Sequence, residues 1–227
     1  MADLSHSASH GSEAELAERL RTHVDRLAGL IGPRHLGAPT ALAAAATLVE
    51  RNLTALGYAV ERLPYRVDGA EVANLVAELP GSRRADEIVV LGAHYDTVWC
   101  TPGADDNASA VAVLLEVARL MRGCQPQRTV RFVAFPCEEQ PHFSLGDMGS
   151  QRYARFCREK NERIVGMCCL EMVGYYTSAP QSQQAPPAIP RLIRRFLPTR
   201  GDFLHSSPSA VGVRAAHGAG ANGNGAG

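Results

Sequence analysis

The sequence lacks a charge excess, an apolar leader and any apolar run long enough to cross a membrane. Its 227 residues include 23 lysines and arginines and 23 aspartates and glutamates, so the formal net charge is zero. This balance gives no electrostatic reason to expect nucleic acid or an anionic membrane as a partner. Met1 to Glu13 is polar and has no apolar segment of the kind found in signal peptides. We therefore expect neither export nor a transmembrane helix.

The sequence also lacks a Cys-x-x-Cys pair, although it contains six cysteines. Cys168 and Cys169 are adjacent within an apolar run, and this predicts that they are small buried side chains. In a chain of this size without an export signal, free thiols in a reducing compartment are expected. These features together predict a cytoplasmic protein.

Helical and strand-like patterns alternate along the first 170 residues or so. Ser12 is placed to cap a helix that ends at Gly32-Pro33, and a second helix is predicted from Pro39-Thr40 to Gly57. A hairpin is predicted around Asp68-Gly69. Buried strands are predicted at Ile88–Leu91, Thr129–Phe135 and Ile164–Leu170, with helices at Ala108–Met121 and Ser150–Lys160. Strands alternating with helices predict an α/β fold, a three-layer sandwich around a mainly parallel central sheet.

The composition changes towards the end of the sequence. Residues 178–190 are rich in Pro, Gln and Ser, which is typical of a loop. Residues 205–227 are mostly Ala, Gly, Ser and Asn and contain no Phe, Tyr or Trp. Such a segment buries too little apolar surface to offset its ordering entropy. We therefore predict a disordered N-terminus at 1–11, a folded domain at 12–204 and a disordered tail at 205–227.

Acidic groups and one histidine follow the predicted strands at their carboxyl ends. They are His94, Asp96, Asp105, Asp106, Glu138, Glu139 and Glu171. In open α/β sheets this edge is where ligands bind. Clustered carboxylates repel one another unless a cation lies among them. One histidine with several carboxylates suits zinc, with manganese or cobalt as alternatives. His94 and Asp96 are two residues apart, so on an extended segment they share a face and Asp96 is placed to orient the imidazole.

Five segments carry a resemblance to a known family. They are GAHYDTV, PGADDNAS, AFPCEE, DMGS and LEMVGYY, and they occur in this order from Gly92 to Tyr176. In order and spacing they resemble the motifs of the M28 family of co-catalytic zinc aminopeptidases, over roughly Leu16 to Leu204. The resemblance implies metal-dependent hydrolysis of N-terminal peptide bonds, and a peptide with a free N-terminus as the substrate.

The resemblance also implies a metal-ligand set. By position, Asp105 bridges two zinc ions, His94 and Glu171 complete one site, and Glu139 binds the other ion. Together these four residues define the expected zinc centre.

Three further roles are implied by the resemblance. Glu138 is the general base, and Asp96 supports His94 as the second catalytic residue. Asp106 follows the bridging ligand across a cis peptide bond. These roles fit a water molecule activated between two metals and a carboxylate that moves its proton.

The family has one more histidine ligand, in a late Ser-Asp-His motif that this sequence lacks. His205 and His217 are the only histidines after the Arg200–Phe203 stretch. We interpret the abrupt change after Leu204 as a truncation or frameshift, and expect an incomplete fold at the C-terminal end, an incomplete second zinc site and weak activity. Two alternatives stay open: an inactive remnant that binds metal or peptide, and a related amidohydrolase such as a glutaminyl cyclase. The sequence leaves the oligomeric state open.

Overall fold

A computed structural model describes residues 12–183, 190, 192 and 199–201 of the chain. The segments predicted to be disordered, 1–11 and 205–227, lie outside the described residues. His205 and His217 lie outside them as well. The site is therefore described from the elements between residue 12 and residue 183.

A five-stranded sheet forms the centre of the fold, in the order β1-β2-β4-β3-β5. Its strands are β1 (Val60–Val67), β2 (Ala70–Leu79), β3 (Arg84–His94), β4 (Arg128–Phe135) and β5 (Arg163–Cys169). Strands β4, β3 and β5 run parallel, whereas β1 and β2 form an antiparallel hairpin and β2 runs antiparallel to β4. The predicted α/β class is confirmed, and the sheet is mixed, with its parallel part at the β5 side.

The hairpin turn explains the antiparallel part of the sheet. Asp68 and Gly69 both have positive φ angles, 49° and 81°. Two consecutive residues of this kind form the tight turn whose twist matches that of two paired antiparallel strands. The predicted hairpin around Asp68-Gly69 is therefore confirmed.

Among the described residues, five α-helices flank the sheet, several with end signals in the sequence. They are α1 (Glu13–Val24), α2 (Pro39–Ala55), α3 (Ala110–Met121), α4 (His142–Leu145) and α5 (Gly149–Glu159). A π-helical stretch follows α1 at Asp25–Ile31, and a kinked segment at Ala104–Ser109 precedes α3, with non-helical backbone at Asp106 and Asn107. Ser12 caps α1 and exchanges hydrogen bonds with Glu15, which forms a capping box. In the described part of the chain, no helix is long and apolar enough to cross a membrane.

Side chains from both faces of the sheet are buried, which gives three layers. Leu75 and Phe132 are buried on the face covered by α2 and α3. Their chain neighbours Val76 and Val133 are buried on the opposite face, together with Tyr153 of α5. Successive residues of a strand point to opposite faces, so this alternation places helices on both sides. The predicted three-layer arrangement is confirmed.

Among the described residues β5 is an edge strand with exposed side chains, so the prediction that it is buried in the core is wrong. Val165 is 44% exposed and Met167 is 47% exposed. Cys168 and Cys169 are also exposed, although the sequence predicted that they are buried. The reason is position: among the described residues, β5 pairs with β3 on one side and has no strand on the other. All six cysteines are free thiols, as expected.

Candidate metal centre

The predicted site residues follow the carboxyl ends of the three parallel strands. His94 is the last residue of β3, Glu138 and Glu139 follow β4, and Glu171 follows β5. In the β3–β4 register His94 lies beside Phe135, the last residue of β4. Because the strands are parallel, these ends meet at one edge of the sheet. The pairing of the strands therefore brings together residues that lie as much as 77 positions apart in the sequence.

The imidazole of His94 lies at the buried floor of this edge. Its side chain is 2% exposed, whereas those of Asp106 and Glu171 are 39% and 47% exposed. His94 Nε2 lies 3.1 Å from Asp106 Oδ1 and 3.4 Å from Glu171 Oε1. On the other side of the ring, Nδ1 lies 3.3 Å from Asp96 Oδ1. One ring nitrogen thus faces two carboxylates that are open to solvent.

Two buried carboxylate oxygens at this edge have no hydrogen-bond donor among the described residues. They are Asp106 Oδ1 and Glu139 Oε1. Asp106 Oδ1 is close to the ring of His94 but lacks hydrogen-bond geometry with it. Buried acceptors without donors are costly, and a cation placed among them satisfies them.

The ligand atoms at this edge form two overlapping groups. One group is His94, Asp106 and Glu171, and the other is His94, Glu138 and Glu139, with the ligand atoms of each group within 4.8 Å of one another. An imidazole nitrogen with carboxylate oxygens is a donor set that zinc binds. Together with the buried oxygens that lack donors, this shows that the residues present fit a divalent metal ion.

Asp96 connects the histidine to the two glutamates. Its Oδ1 accepts the backbone N–H of Glu138 at 3.1 Å, and its Oδ2 accepts that of Glu139 at 3.2 Å. The residue is 3% exposed. The sequence predicted a role for Asp96 towards His94 alone. The structure adds that the same carboxylate fixes the turn that carries both glutamates.

The structure brings Asp106, and not Asp105, to the histidine. Asp105 Oδ1 accepts the backbone N–H groups of Gly174 and Tyr175 at 2.8 and 3.0 Å, which ties it to the segment after Glu171. The backbone at Asp106 is extended (φ −102°, ψ 95°). Adjacent side chains on extended backbone point to opposite sides, so only one of the two aspartates faces His94. The position expected for Asp105 is therefore taken by the next residue.

The cis peptide bond also lies one residue later in the chain than the sequence predicted. It joins Asp106 to Asn107, and not Asp105 to Asp106 as expected. Asn107 is fully buried. Its Nδ2 donates to Leu170 O at 3.1 Å and to Glu171 Oε2 at 3.4 Å, and its Oδ1 accepts the N–H of Met172 at 3.1 Å. Asn107 thus holds Glu171 in place, a role that the sequence pattern did not indicate.

The pKa values of the site residues are shifted because several negatively charged carboxylates lie around the buried imidazole of His94. Burial acts to lower the pKa of His94, but contacts with Asp106, Asp96 and Glu171 outweigh this effect and raise the pKa to about 12. Burial raises the pKa of Glu139 to about 7, and the neighbouring Asp106 carboxylate adds to the rise. Burial also raises the pKa of Glu138, while the charge of His94 opposes the rise. The positive charge of protonated His94 thus offsets part of the repulsion among these carboxylates.

The fold and the site together define an α/β protein with a candidate divalent-metal site at the carboxyl edge of its sheet. The sequence model of peptidase family M28 matches residues 74–212, which is more than half of the chain. The chain belongs to this family. The uncharacterised protein YfbL of Escherichia coli is 36% identical over 196 residues, an alignment that covers 82% of this chain and 58% of YfbL.

Solved structures of two kinds of enzyme share the fold. The zinc aminopeptidase BSAP from Bacillus subtilis has a TM-score of 0.63 at 17% identity, over 74% of each chain. A glutaminyl cyclase from an Acidobacteriales bacterium has a TM-score of 0.61 at 21% identity, over 77% of this chain and 63% of the other. At these identities the likeness establishes the fold alone. The chemistry of this chain is therefore argued from its own residues.

Proposed function

We propose that this chain forms the metal centre of a zinc-dependent aminopeptidase. Buried carboxylate oxygens without donors around the imidazole of His94 carry this proposal. His94, Asp106 and Glu171 would hold one ion. Asp106 and Glu139 would hold a second, with Asp106 as the bridging ligand in place of Asp105. Membership of peptidase family M28 supports peptide-bond hydrolysis as the reaction.

Glu138 is the proposed general base. Its backbone N–H is fixed by Asp96, and its carboxylate lies in the group with His94 and Glu139. A zinc ion held by these residues would supply Lewis acidity for water activation and for polarising the scissile carbonyl. The carboxylate of Glu138 would accept a proton from the attacking water and pass it to the leaving amine. Asp96 acts as a positioning residue, because it holds both the histidine and the base.

A free α-amine at the N-terminus of a peptide is the proposed recognition element. An ammonium group is attracted to the acidic edge formed by Asp106, Glu138, Glu139 and Glu171. This substrate class is the one to test first, because a zinc aminopeptidase shares the fold. We infer one tightly held zinc and a weaker second ion, because His94 is the single histidine in either ligand group of the described residues.

The test uses the full 227-residue chain, first stripped of metal and then titrated with zinc. We expect one tight zinc per chain and slow hydrolysis of leucine 4-nitroanilide. Glu138→Gln should keep the zinc and lose hydrolysis, because the amide cannot accept the proton. Glu61→Gln, an exposed glutamate in β1, is the matched control and should behave as wild type. A chain that binds no zinc contradicts the proposal.

The two alternatives have distinct outcomes in the same experiment. Tight zinc with no hydrolysis of any aminoacyl substrate identifies a remnant that binds metal without turnover. Release of ammonia from a peptide with an N-terminal glutamine, without hydrolysis of the leucine substrate, identifies a cyclase. The shared fold makes this second substrate necessary, because solved structures with both chemistries resemble the chain.

A further inference from the structure

Arg34 is a buried cation with no part in the proposed chemistry. Its side chain is 0% exposed and is among the largest fully buried ones in the protein. Its hydrogen bonds in the described part of the chain go to backbone carbonyl groups and not to a carboxylate. Burying a charge is costly unless it is fully hydrogen-bonded. A buried arginine with these hydrogen bonds is placed to hold the backbone segments that it contacts in a fixed arrangement.

The guanidinium joins the two segments that carry the metal site. Arg34 Nε donates to Tyr95 O at 2.7 Å, next to His94 and Asp96. Its Nη1 donates to Pro102 O at 2.6 Å and its Nη2 to Gly103 O at 3.0 Å, just before Asp106. Two further bonds, to Leu27 O at 3.3 Å and Gly32 O at 3.1 Å, fix the side chain to the end of the first helical segment. The three nitrogens of the planar group therefore make five hydrogen bonds to backbone carbonyl groups, three of them from Nη1.

The backbone of Arg34 holds the first segment as well. Arg34 N–H donates to Thr97 Oγ1 at 3.0 Å, and Thr97 N–H donates to Arg34 O at 3.0 Å. Arg34 thus contacts both chain neighbours of Asp96, namely Tyr95 and Thr97. Asp96 in turn accepts the N–H groups of Glu138 and Glu139, so Arg34 also supports the turn after β4.

Gly103, whose carbonyl group binds Arg34, packs closely against Asp106 and Thr97. A Cβ atom at Gly103 would lie 2.2 Å from Asp106 O and 2.4 Å from Thr97 Cγ2, so the two segments touch there. The φ angle of 58° at Gly103 also favours glycine. Burial lowers the pKa of Arg34 to about 10, with the charges of Asp96 and Asp106 opposing the drop, so the side chain is charged at neutral pH.

We propose that Arg34 is a positioning residue that sets the distance between His94 and Asp106 before a metal ion binds. Its planar fork holds the segment that carries Asp96 against the segment that carries Asp106. Lysine has a point charge on a flexible stem and cannot reach the same carbonyl groups on both segments. The part of this inference that concerns metal affinity rests on the proposed function.

The first experiment compares cobalt binding by Arg34→Lys and by Leu53→Ala. Leu53 is fully buried in α2 and lies outside both segments, so its truncation lowers stability and removes none of the hydrogen bonds of Arg34. Cobalt affinity and the visible absorption spectrum are measured at a temperature where far-UV circular dichroism shows both variants folded. We expect Arg34→Lys to lose about 10- to 100-fold in affinity and to change the spectrum. Leu53→Ala should keep both, and an equal loss in the two variants overturns the proposal.

The second experiment is independent of metal. Hydrogen exchange on the metal-free full chain should show faster exchange in residues 95–108 for Arg34→Lys than for wild type or Leu53→Ala. If wild-type protein binds no cobalt, the proposed function fails, and this measurement still decides whether Arg34 holds the segments. Unchanged exchange overturns the positioning role.

If Arg34→Lys does not fold, both measurements are made on Thr97→Val instead. It replaces the hydroxyl that accepts the N–H of Arg34, and that also donates to Val98 O, by a methyl group. The same changes, smaller in size, are expected. Wild-type affinity and wild-type exchange in this variant contradict the proposal.

Discussion

Asp96 Oδ1 accepts the backbone N–H of Glu138 at 3.1 Å and also lies 3.3 Å from Nδ1 of His94. One carboxylate therefore joins the end of β3 to the turn after β4. This contact spans 42 positions in the sequence and exists only once the two strands are paired. It makes the arrangement of the candidate centre depend on the sheet beneath it.

Asp96→Asn should weaken metal binding. Asparagine has one acceptor oxygen, so the N–H of Glu138 or of Glu139 loses its partner, and the charge beside His94 disappears. We expect zinc affinity to fall about 10- to 100-fold, as is usual when a group that orients ligands is replaced. Calorimetric titration of the metal-free chain measures the affinity. Asp86→Asn, an exposed aspartate, is the control, and equal affinities in the two variants would contradict the role of Asp96.

Asp106→Asn and Asp105→Asn should have unequal effects on metal binding. Asp106 faces His94, whereas Asp105 accepts the N–H groups of Gly174 and Tyr175. An asparagine at 105 keeps an acceptor oxygen for those groups. Zinc affinity should therefore fall sharply in Asp106→Asn and stay close to wild type in Asp105→Asn. The reverse order would restore Asp105 as the ligand.

His23 should make stability depend on pH. Burial lowers the pKa of His23, although Glu116 lies 3.2 Å from its Nε2 and opposes the drop. The unfolded state then binds the proton more readily than the folded state, so stability falls as pH drops below about 6.5 towards the folded-state pKa. Urea unfolding at pH 7.5 and 5.5 should show a larger loss for wild type than for His23→Gln.

The control for this pH experiment is His35→Gln, a histidine in the loop before α2. It should lose as much stability between the two pH values as wild type does. Equal losses in wild type and His23→Gln would mean that other groups account for the pH dependence.

Leu114→Ala should lower the free energy of unfolding by roughly 2–5 kcal/mol, because Leu114 in α3 is 0% exposed and its truncation leaves a cavity. Leu30 is 82% exposed, so Leu30→Ala should change stability by no more than about 0.5 kcal/mol. Urea denaturation of both variants measures the difference. A similar loss in both would mean that the core lies elsewhere.

The sequence predicted those parts of the fold that depend on local patterns. The hairpin at Asp68-Gly69 and the cap at Ser12 follow from the residues at the turn and at the helix start. The pairing of β2 beside β4 could not be predicted, because no local pattern specifies which strands meet. Strand β5 was misjudged for the same reason: its apolar residues resemble a core strand, and only the sheet order shows it at an edge.

The candidate site was predictable as a region and less so in detail. The position of His94, Glu138, Glu139 and Glu171 after parallel strands follows from the alternation of strands and helices. Two adjacent aspartates give no local signal for which one faces the histidine, since the backbone angles at Asp106 decide it. Arg34 gave no signal at all, because two of the carbonyl groups it binds lie 61 and 69 positions further along the chain.

The two borders of the sheet differ in how they meet other molecules. Strand β1 carries Glu61, Arg62, Pro64 and Arg66, residues that discourage a foreign strand from docking. Strand β5 offers Ile164 to Cys169 without a single charge. Among the described residues this edge is therefore where pairing of strands between copies, or fibre growth, should start in concentrated solution. A lysine in place of Val165 should raise the concentration at which the protein precipitates.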